Sequence, residues 1–322
     1  MKHKLVPFKN KDDIEFKPAF IEHYSKLTDW NTFSTYCLSF LRRSLRVNTL
    51  KITIPKLKKR LEAQGWILEP VPWCKEGFFL THETGRRDAG NTLEHQLGYF
   101  YIQEAASMIP PLALDPKPGD LVLDVAASPG SKTTQMAQMM KNKGTIIAND
   151  VVGIRMMPLC VNLTRLGVTN TVTTLMNGQQ FTKFTNYFDK VLVDAPCSGT
   201  GTIRKSVKTI RMWNPKVLKS ISNVQKQLLQ AAFNATKPGG TVVYSTCSLE
   251  PEENEGVVSE FLNNNKNAKL EKIALPGLIS SKPVTEFNNI KYNPEVKKTS
   301  RLWPQDNDTE GFFITKIIKD KE

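Results

Sequence analysis

From Leu121 onward the chain alternates short apolar runs with amphipathic stretches, and this alternation constrains its fold more than any other feature. The runs 121–126 (LVLDVA), 145–149 (TIIAN), 170–175 and 190–194 (KVLVD) have the length and composition of buried strands. Between and after them, 131–141, 153–166, 221–235 and 251–263 have helical spacing, while 240–246 (GTVVYST) and 312–317 read as further strands. Such alternation predicts a doubly wound, mainly parallel α/β sheet. Ligands of such sheets sit beyond the carboxyl ends of the strands, so residues at strand ends are the functional candidates.

The preceding part is different. Mixed polarity over the first forty residues suggests short helices; 44–50 alternates like a strand, 54–65 has helical spacing ending in glycine, and 71–79 and 99–103 look extended. Pro110-Pro111 and Pro116-Lys117-Pro118-Gly119 mark a boundary. We therefore expect residues 1–112 to form a helical plus α+β unit and 113–318 the main domain. The chain of 322 residues is long enough for both.

Charge points to a polyanionic partner. Lys and Arg total 44 against 31 Asp and Glu, for a net charge of +13. The excess is uneven: the first sixty residues carry fourteen Lys/Arg and five Asp/Glu. Arg204, Lys205, Lys208 and Arg211, near Trp213, form a basic loop that could follow a phosphate backbone. No run of about 18 apolar residues predicts a membrane span, and the N-terminus has no secretory pattern. Five cysteines without close pairing and four scattered histidines argue against a disulfide framework and a metal site. Free thiols fit a reducing cytoplasm.

The first strand of the α/β part runs into Asp124-Val125-Ala126-Ala127-Ser128-Pro129-Gly130-Ser131-Lys132-Thr133. Small residues let a ligand approach the backbone, and the following helix offers free N–H groups. The loop is neither the dinucleotide GxGxxG nor the phosphate-binding GxxxxGK[ST]. One strand later, Asp150 ends Ile147-Ala148-Asn149-Asp150, where a carboxylate can accept both hydroxyls of a ribose. Together these look like the S-adenosylmethionine site of a class I methyltransferase.

Two further strand ends carry cysteines: Asp194-Ala195-Pro196-Cys197-Ser198-Gly199 and Ser245-Thr246-Cys247-Ser248-Leu249-Glu250-Pro251-Glu252-Glu253-Asn254-Glu255. A lone strand-end cysteine is more often a small buried residue. Two beside a methyl-donor loop suit a specific chemistry. Carbon 5 of cytosine is a poor nucleophile until a thiolate adds at carbon 6, and the carbon 5 proton must leave after methylation, a task for a second group. Asp194 could bond the amino edge of the base and Lys132 its carbonyl edge.

The segments DVAASPGSKT, DAPCSGTG and STCSLEPEENE resemble the RNA (cytosine-5) methyltransferase family, the Sun/RsmB group. Arg46-Val47-Asn48-Thr49-Leu50-Lys51, 101–107 and Glu310-Gly311-Phe312-Phe313 also look like family segments. The resemblance implies a Rossmann-like, class I S-adenosylmethionine-dependent methyltransferase sheet preceded by a small RNA-recognition-like α+β domain. It implies Cys247 as nucleophile, Cys197 as the cysteine of product release, and Lys132 reaching the base. It implies cofactor contacts from Ala126, Ala127, Ser128, Pro129, Gly130, Ser131, Lys132, Asp150, Arg155 and Asp194. The family loop usually has glycine at Ser131. It usually has aspartate at Asn177, accepting from the adenine amino group; an asparagine oxygen accepts too, without charge, which predicts weaker cofactor binding.

The expected function is S-adenosylmethionine-dependent methylation of cytosine carbon 5 in RNA by a cytoplasmic monomer, with tRNA favoured over rRNA. The same chemistry on rRNA is the nearest alternative, and a non-catalytic RNA-binding or ribosome-assembly protein the next. A DNA cytosine-5 methyltransferase would use Cys197 as nucleophile, and the second motif around Cys247 argues against it.

Overall fold

A computed structural model describes residues 5–321; Met1 to Lys4, which open the expected N-terminal unit and carry part of its charge, lie outside the described residues. Two short helices come first, α1 (Pro18–Ser25) and α2 (Trp30–Cys37). Their buried faces, Phe20, Tyr24, Phe33 and Cys37, do not pack on the small domain that follows. They join Ile203, Ile210, Trp213, Leu249 and Trp303, all from the far half of the chain.

The small domain contains β1 (Arg43–Val47), α3 (Ile54–Glu62), β2 (Trp66–Val71), β3 (Cys74–His82), α4 (Leu93–Gln96) and β4 (Phe100–Ile102). Its strands form an antiparallel sheet in the order β2-β3-β1-β4. In α3, Leu57 and Leu61 share a face and bury against Leu45, Trp66 and Phe100, with the lysines left outside. The single extended stretch expected at 71–79 is in fact two strands, because Pro72 and Trp73 turn the chain between β2 and β3.

The second sheet begins after α5 (Ile109–Leu114), which spans the expected 112/113 division and buries Pro110 and Pro111. Proline at the start of a helix removes an N–H that would have no partner there, so this pair opens a short helix at the expected boundary. Then follow β5 (Leu121–Asp124), α6 (Ser131–Met139), β6 (Thr145–Asp150), α7 (Gly153–Leu166), β7 (Thr171–Leu175), β8 (Phe188–Asp194), α8 (Lys208–Met212), α9 (Leu218–Ala235), β9 (Thr236–Thr246) and α10 (Glu255–Asn264). The chain ends with β10 (Ala268–Glu271), a hairpin of β11 (Glu286–Phe287) and β12 (Ile290–Lys291), β13 (Ser300–Leu302) and β14 (Phe312–Lys319).

The strand order is β10-β14-β9-β8-β5-β6-β7, with β13 on β14. Strands β5 to β9 pair in parallel; β14 is antiparallel to β9 and to β10. Apolar clusters cover both faces, one holding α9 and α10, the other α5 and α6. The order reverses at β5, between β8 and β6, and opens a crevice at the carboxyl ends of these strands. This is the doubly wound sheet expected from the alternation. Among the described residues no helix is long and apolar enough to cross a membrane.

The two sheets are clamped by residues of the 46–51 segment. Arg46, 1% exposed, donates from Nε to Gln103 Oε1 at 2.7 Å, and from its terminal nitrogens to Gln138 and Thr134 on α6. Asn48 Nδ2 donates to the carbonyls of Gly98 and Leu166, each at 2.8 Å. This segment holds the small domain against the helix that follows the first loop.

Candidate active site

A cleft of about 440 Å³ lies at the carboxyl ends of β5, β6 and β8, lined in part by Ala126, Ser128, Asp150, Arg155, Asn177 and Asp194. Cys197 and Cys247 form its far end. Gly130 takes the left-handed turn (φ 99°), so Ser131 can open α6 at an ordinary helical position. Ala127, Pro129, Gly130 and Ser131 shape this turn without lining the cleft: Gly130 N donates to Ala127 O at 2.7 Å, and Pro129 O accepts from Asn162.

Asp150 is 1% exposed and aimed by backbone amides, from Ser128 N at 3.3 Å and Val152 N at 3.1 Å. Arg155 Nη2 reaches Ser128 O at 2.9 Å and Asp150 Oδ2 at 3.5 Å. Asn177 Oδ1 accepts from Gln179 N at 3.0 Å. Gly178 keeps the wall open: a Cβ there would come within 2.7 Å of Val125 and Leu228 side-chain carbons. A buried carboxylate with spare lone pairs, an amide oxygen and apolar walls from Val125, Val224 and Leu228 fit an adenosyl group.

Beside the cleft, Lys132 Nζ donates to Asp194 Oδ2 at 2.6 Å, and Ser245 Oγ to Asp194 Oδ1 at 2.8 Å. Burial alone would pull the Lys132 ammonium down; the neighbouring Asp194 carboxylate overrides this and holds it above the usual lysine range. Asp124, at the end of β5, is pushed up to about 7 by burial, although Thr133 donates to one of its oxygens at 2.7 Å.

The two cysteine sulfurs lie 3.2 Å apart. The hydrogen bond to Cys247, then burial and the charge of a Cys247 thiolate, raise the Cys197 thiol well above its ordinary value. Of the two, Cys197 is the thiol whose surroundings favour the protonated form, and either sulfur can donate across the contact.

The acidic run 250–255 was expected to start a helix at Pro251. It instead folds back beneath the cysteines, and α10 begins only at Glu255. Glu250 accepts from Tyr24 at 2.6 Å, Trp213 at 3.0 Å and His23 at 2.7 Å. Burial opposes its charge, but these bonds hold it below the usual carboxylate range. Glu253 accepts from Ser198 N at 2.9 Å, Ser248 Oγ at 2.8 Å and Gln225 at 2.8 Å, tying the two cysteine loops together. Glu255 pairs with buried Arg301 at 2.5 Å. Glu253, Ser245 and Gly178 are site residues that sequence reasoning missed; the only signal was the density of carboxylates beside a cysteine.

The basic loop is only partly as expected. Lys205, Lys208 and Arg211 are exposed, but Arg204 is buried, 2.7 Å from Asp308 and bonded to the carbonyls of Phe40 and Thr309. It is a strut, unavailable to a phosphate. Trp213 is likewise spent on Glu250.

A sheet that reverses at β5, carries β14 antiparallel beside β9 and puts a buried carboxylate at the end of β6 after a loop without GxGxxG fits the Rossmann-like S-adenosylmethionine-dependent methyltransferases. Sequence comparison narrows the class: residues 111–318 match the family described as 16S rRNA methyltransferase RsmB/F, and 16–105 the N-terminal domain of 16S rRNA methyltransferase RsmF. The chain belongs to the RsmB/F methyltransferase family. It is 49% identical over 309 residues to a tRNA (cytosine(49)-C(5))-methyltransferase of Pyrococcus abyssi, covering 95% of this chain and 98% of that one. It is 40% identical over 313 residues to the ribosomal RNA small subunit methyltransferase F of Shewanella oneidensis, covering 95% of this chain and 64% of that relative. A crystal structure of a methyltransferase homolog protein from Pyrococcus horikoshii superposes with a TM-score of 0.84 at 40% identity, covering 95% of this chain and 96% of that one.

Proposed function

We propose that the chain methylates carbon 5 of a cytosine in RNA, with Cys247 as nucleophile and Cys197 as the group that frees the product. The observation that carries this reading is the pair of sulfurs 3.2 Å apart at the end of the cofactor cleft. Cys247, as thiolate, bonds carbon 6 of the base, and the displaced π electrons make carbon 5 nucleophilic. S-adenosylmethionine, when bound, supplies an electrophilic methyl group. Lys132 and Asp194 hold the edge of the base, the ammonium offsetting the charge that develops there. Once the Cys247 sulfur is bonded to carbon, its charge no longer holds the proton on Cys197; Cys197 gives that proton to water and, as thiolate, takes the carbon 5 proton. Loss of that proton returns an electron pair to the ring and expels the Cys247 thiolate.

In this reading Asp150 and Arg155 serve the ribose side, Asn177 the adenine, and residues 126–132 the donor's remaining edge. Residues 1–112 act as the RNA-binding unit and 113–318 as the catalytic one. tRNA is the first substrate to test, because the relative matched over nearly the full length of both chains is named for tRNA. A single copy supplies both cysteines and the cofactor cleft, which supports a monomer as the acting unit, and two free thiols this close suit the reducing cytoplasm.

The test is transfer of labelled methyl from S-adenosylmethionine to unmodified tRNA and 16S rRNA, with denaturing gels for adducts. Loss of transfer in Cys247→Ala and a trapped protein–RNA adduct in Cys197→Ala are expected. An adduct that needs Cys197 and forms without Cys247 would reverse the roles, and transfer to rRNA alone would replace tRNA as substrate.

A further inference from the structure

Outside the cofactor cleft, a larger cleft of about 690 Å³ runs between the small domain and the loop after Cys197. One wall carries Phe40, Arg43 and Arg87; the other carries Lys205 and Lys208. All five are exposed, and Phe40, 36% exposed, presents its ring with the Arg87 guanidinium 4.8 Å from its centroid. Glu310 closes the inner end. It is 6% exposed, and its Oε1 has no hydrogen-bond partner. The next residue, Gly311, donates to Gly201 O at 2.9 Å, Gly201 N donates to Cys247 O at 2.8 Å, and Lys132 Nζ lies 5.7 Å from the Phe312 ring, so this inner end adjoins the catalytic loops.

A flat ring among four cations suits a nucleotide: the base stacks on the aromatic face and the phosphates meet the basic rim. A buried carboxyl oxygen without a partner supplies what stacking lacks, a directional contact to a base edge. Arg204 bonds the Phe40 carbonyl, so the aromatic wall is fixed to the catalytic loop.

We propose that this cleft is a second nucleotide subsite, which takes a nucleotide adjoining the target cytosine. Its phosphates lie on Arg43, Lys205 and Lys208, its base on Phe40 and Arg87, and Glu310 contacts the base edge. The proposal rests on the reading of the chain as an RNA methyltransferase.

The test uses the full chain and a fluorescein-labelled single-stranded RNA a dozen nucleotides long, titrated by anisotropy at several salt concentrations. The double variant Lys205→Gln/Lys208→Gln should bind about tenfold more weakly, with the log–log salt slope reduced by about 1.4, or about 0.7 per phosphate contact. Phe40→Ala should weaken binding about tenfold with the slope unchanged. Glu310→Gln should change the ratio of kcat/KM between transcripts that differ only beside the methylated cytosine, leaving cofactor affinity alone. An unchanged slope in the lysine variant, whose side chains are exposed and do not support the fold, overturns the subsite even if Phe40→Ala misfolds. An unchanged kcat/KM ratio removes Glu310 from it. Wild type that binds RNA with the expected slope but transfers no methyl group would overturn the methyltransferase reading, and with it the place of this nucleotide beside a target cytosine, while the cleft stays an RNA contact.

Discussion

Lys132 and Asp194 form a partly buried ion pair, 2.6 Å from nitrogen to oxygen, between the first turn of α6 and the end of β8. Asp194 compensates the more deeply buried Lys132 ammonium. Asp194→Ala would leave the Lys132 ammonium uncompensated, so a stability loss of about 3 kcal/mol is expected. Lys132→Met keeps most of the bulk and should cost less stability. Both should lower single-turnover methyl transfer by at least about 100-fold. Urea unfolding and rapid-quench kinetics on the two variants check this; transfer at wild-type rate in Lys132→Met would remove the lysine from the chemistry.

Gly201 packs where three backbones meet. Its N–H donates to Cys247 O at 2.8 Å, its carbonyl accepts from Gly311 N at 2.9 Å, and a Cβ would collide with Gly311 O and come within 2.8 Å of Cys247 O. Gly201→Ala must therefore shift the cysteine loops. A loss of about 1–3 kcal/mol is expected, together with a fall in kcat much larger than the change in cofactor affinity, read by calorimetry beside steady-state kinetics.

Asn177→Asp adds a charge where an amide oxygen now caps Gln179. Charge-assisted hydrogen bonds are roughly twice as strong as neutral ones, so the cofactor dissociation constant should fall by about tenfold. Isothermal titration of both proteins decides it. Equal constants would detach Asn177 from the adenine.

Burial pushes the Asp124 carboxyl up to about 7 in the folded chain, well above the ordinary aspartate range near 3.8. The folded state therefore holds the proton more tightly than the unfolded state. Its contribution to stability is full below pH 4 and is lost as pH rises through 7, by at most about 4 kcal/mol. Thermal melts of wild type and Asp124→Asn between pH 5 and 8 should show a fall in the wild type that the variant lacks. Parallel pH profiles would refute it.

The period of the apolar runs was enough to read the doubly wound sheet, because a strand buried on both faces has no choice of side chain. The helix expected at 251–263 failed at its first turn for the opposite reason. Glu250, Glu252 and Glu253 look like solvated residues opening a helix, yet two of them bond Tyr24, Trp213, Ser198 and Gln225, partners from 28 to 226 residues away. No local pattern reports such partners. Arg204 was misread likewise: its four-residue neighbourhood is basic, but its carbonyl partners, Phe40 and Thr309, are more than a hundred residues distant on either side.

What the amino-acid sequence determined by itself was which residues stand at strand ends: Asp124, Asp150, Asp194, Cys197 and Cys247. Local periodicity and small-residue loops specify these without reference to the rest of the chain. Only the tertiary structure decided that two sulfurs fifty residues apart lie 3.2 Å from each other, that the Cys247 contact and burial raise the Cys197 thiol, and that Lys132 is held by Asp194. Distances and proton affinities depend on strand order and burial, and both are set by contacts between segments remote in the chain.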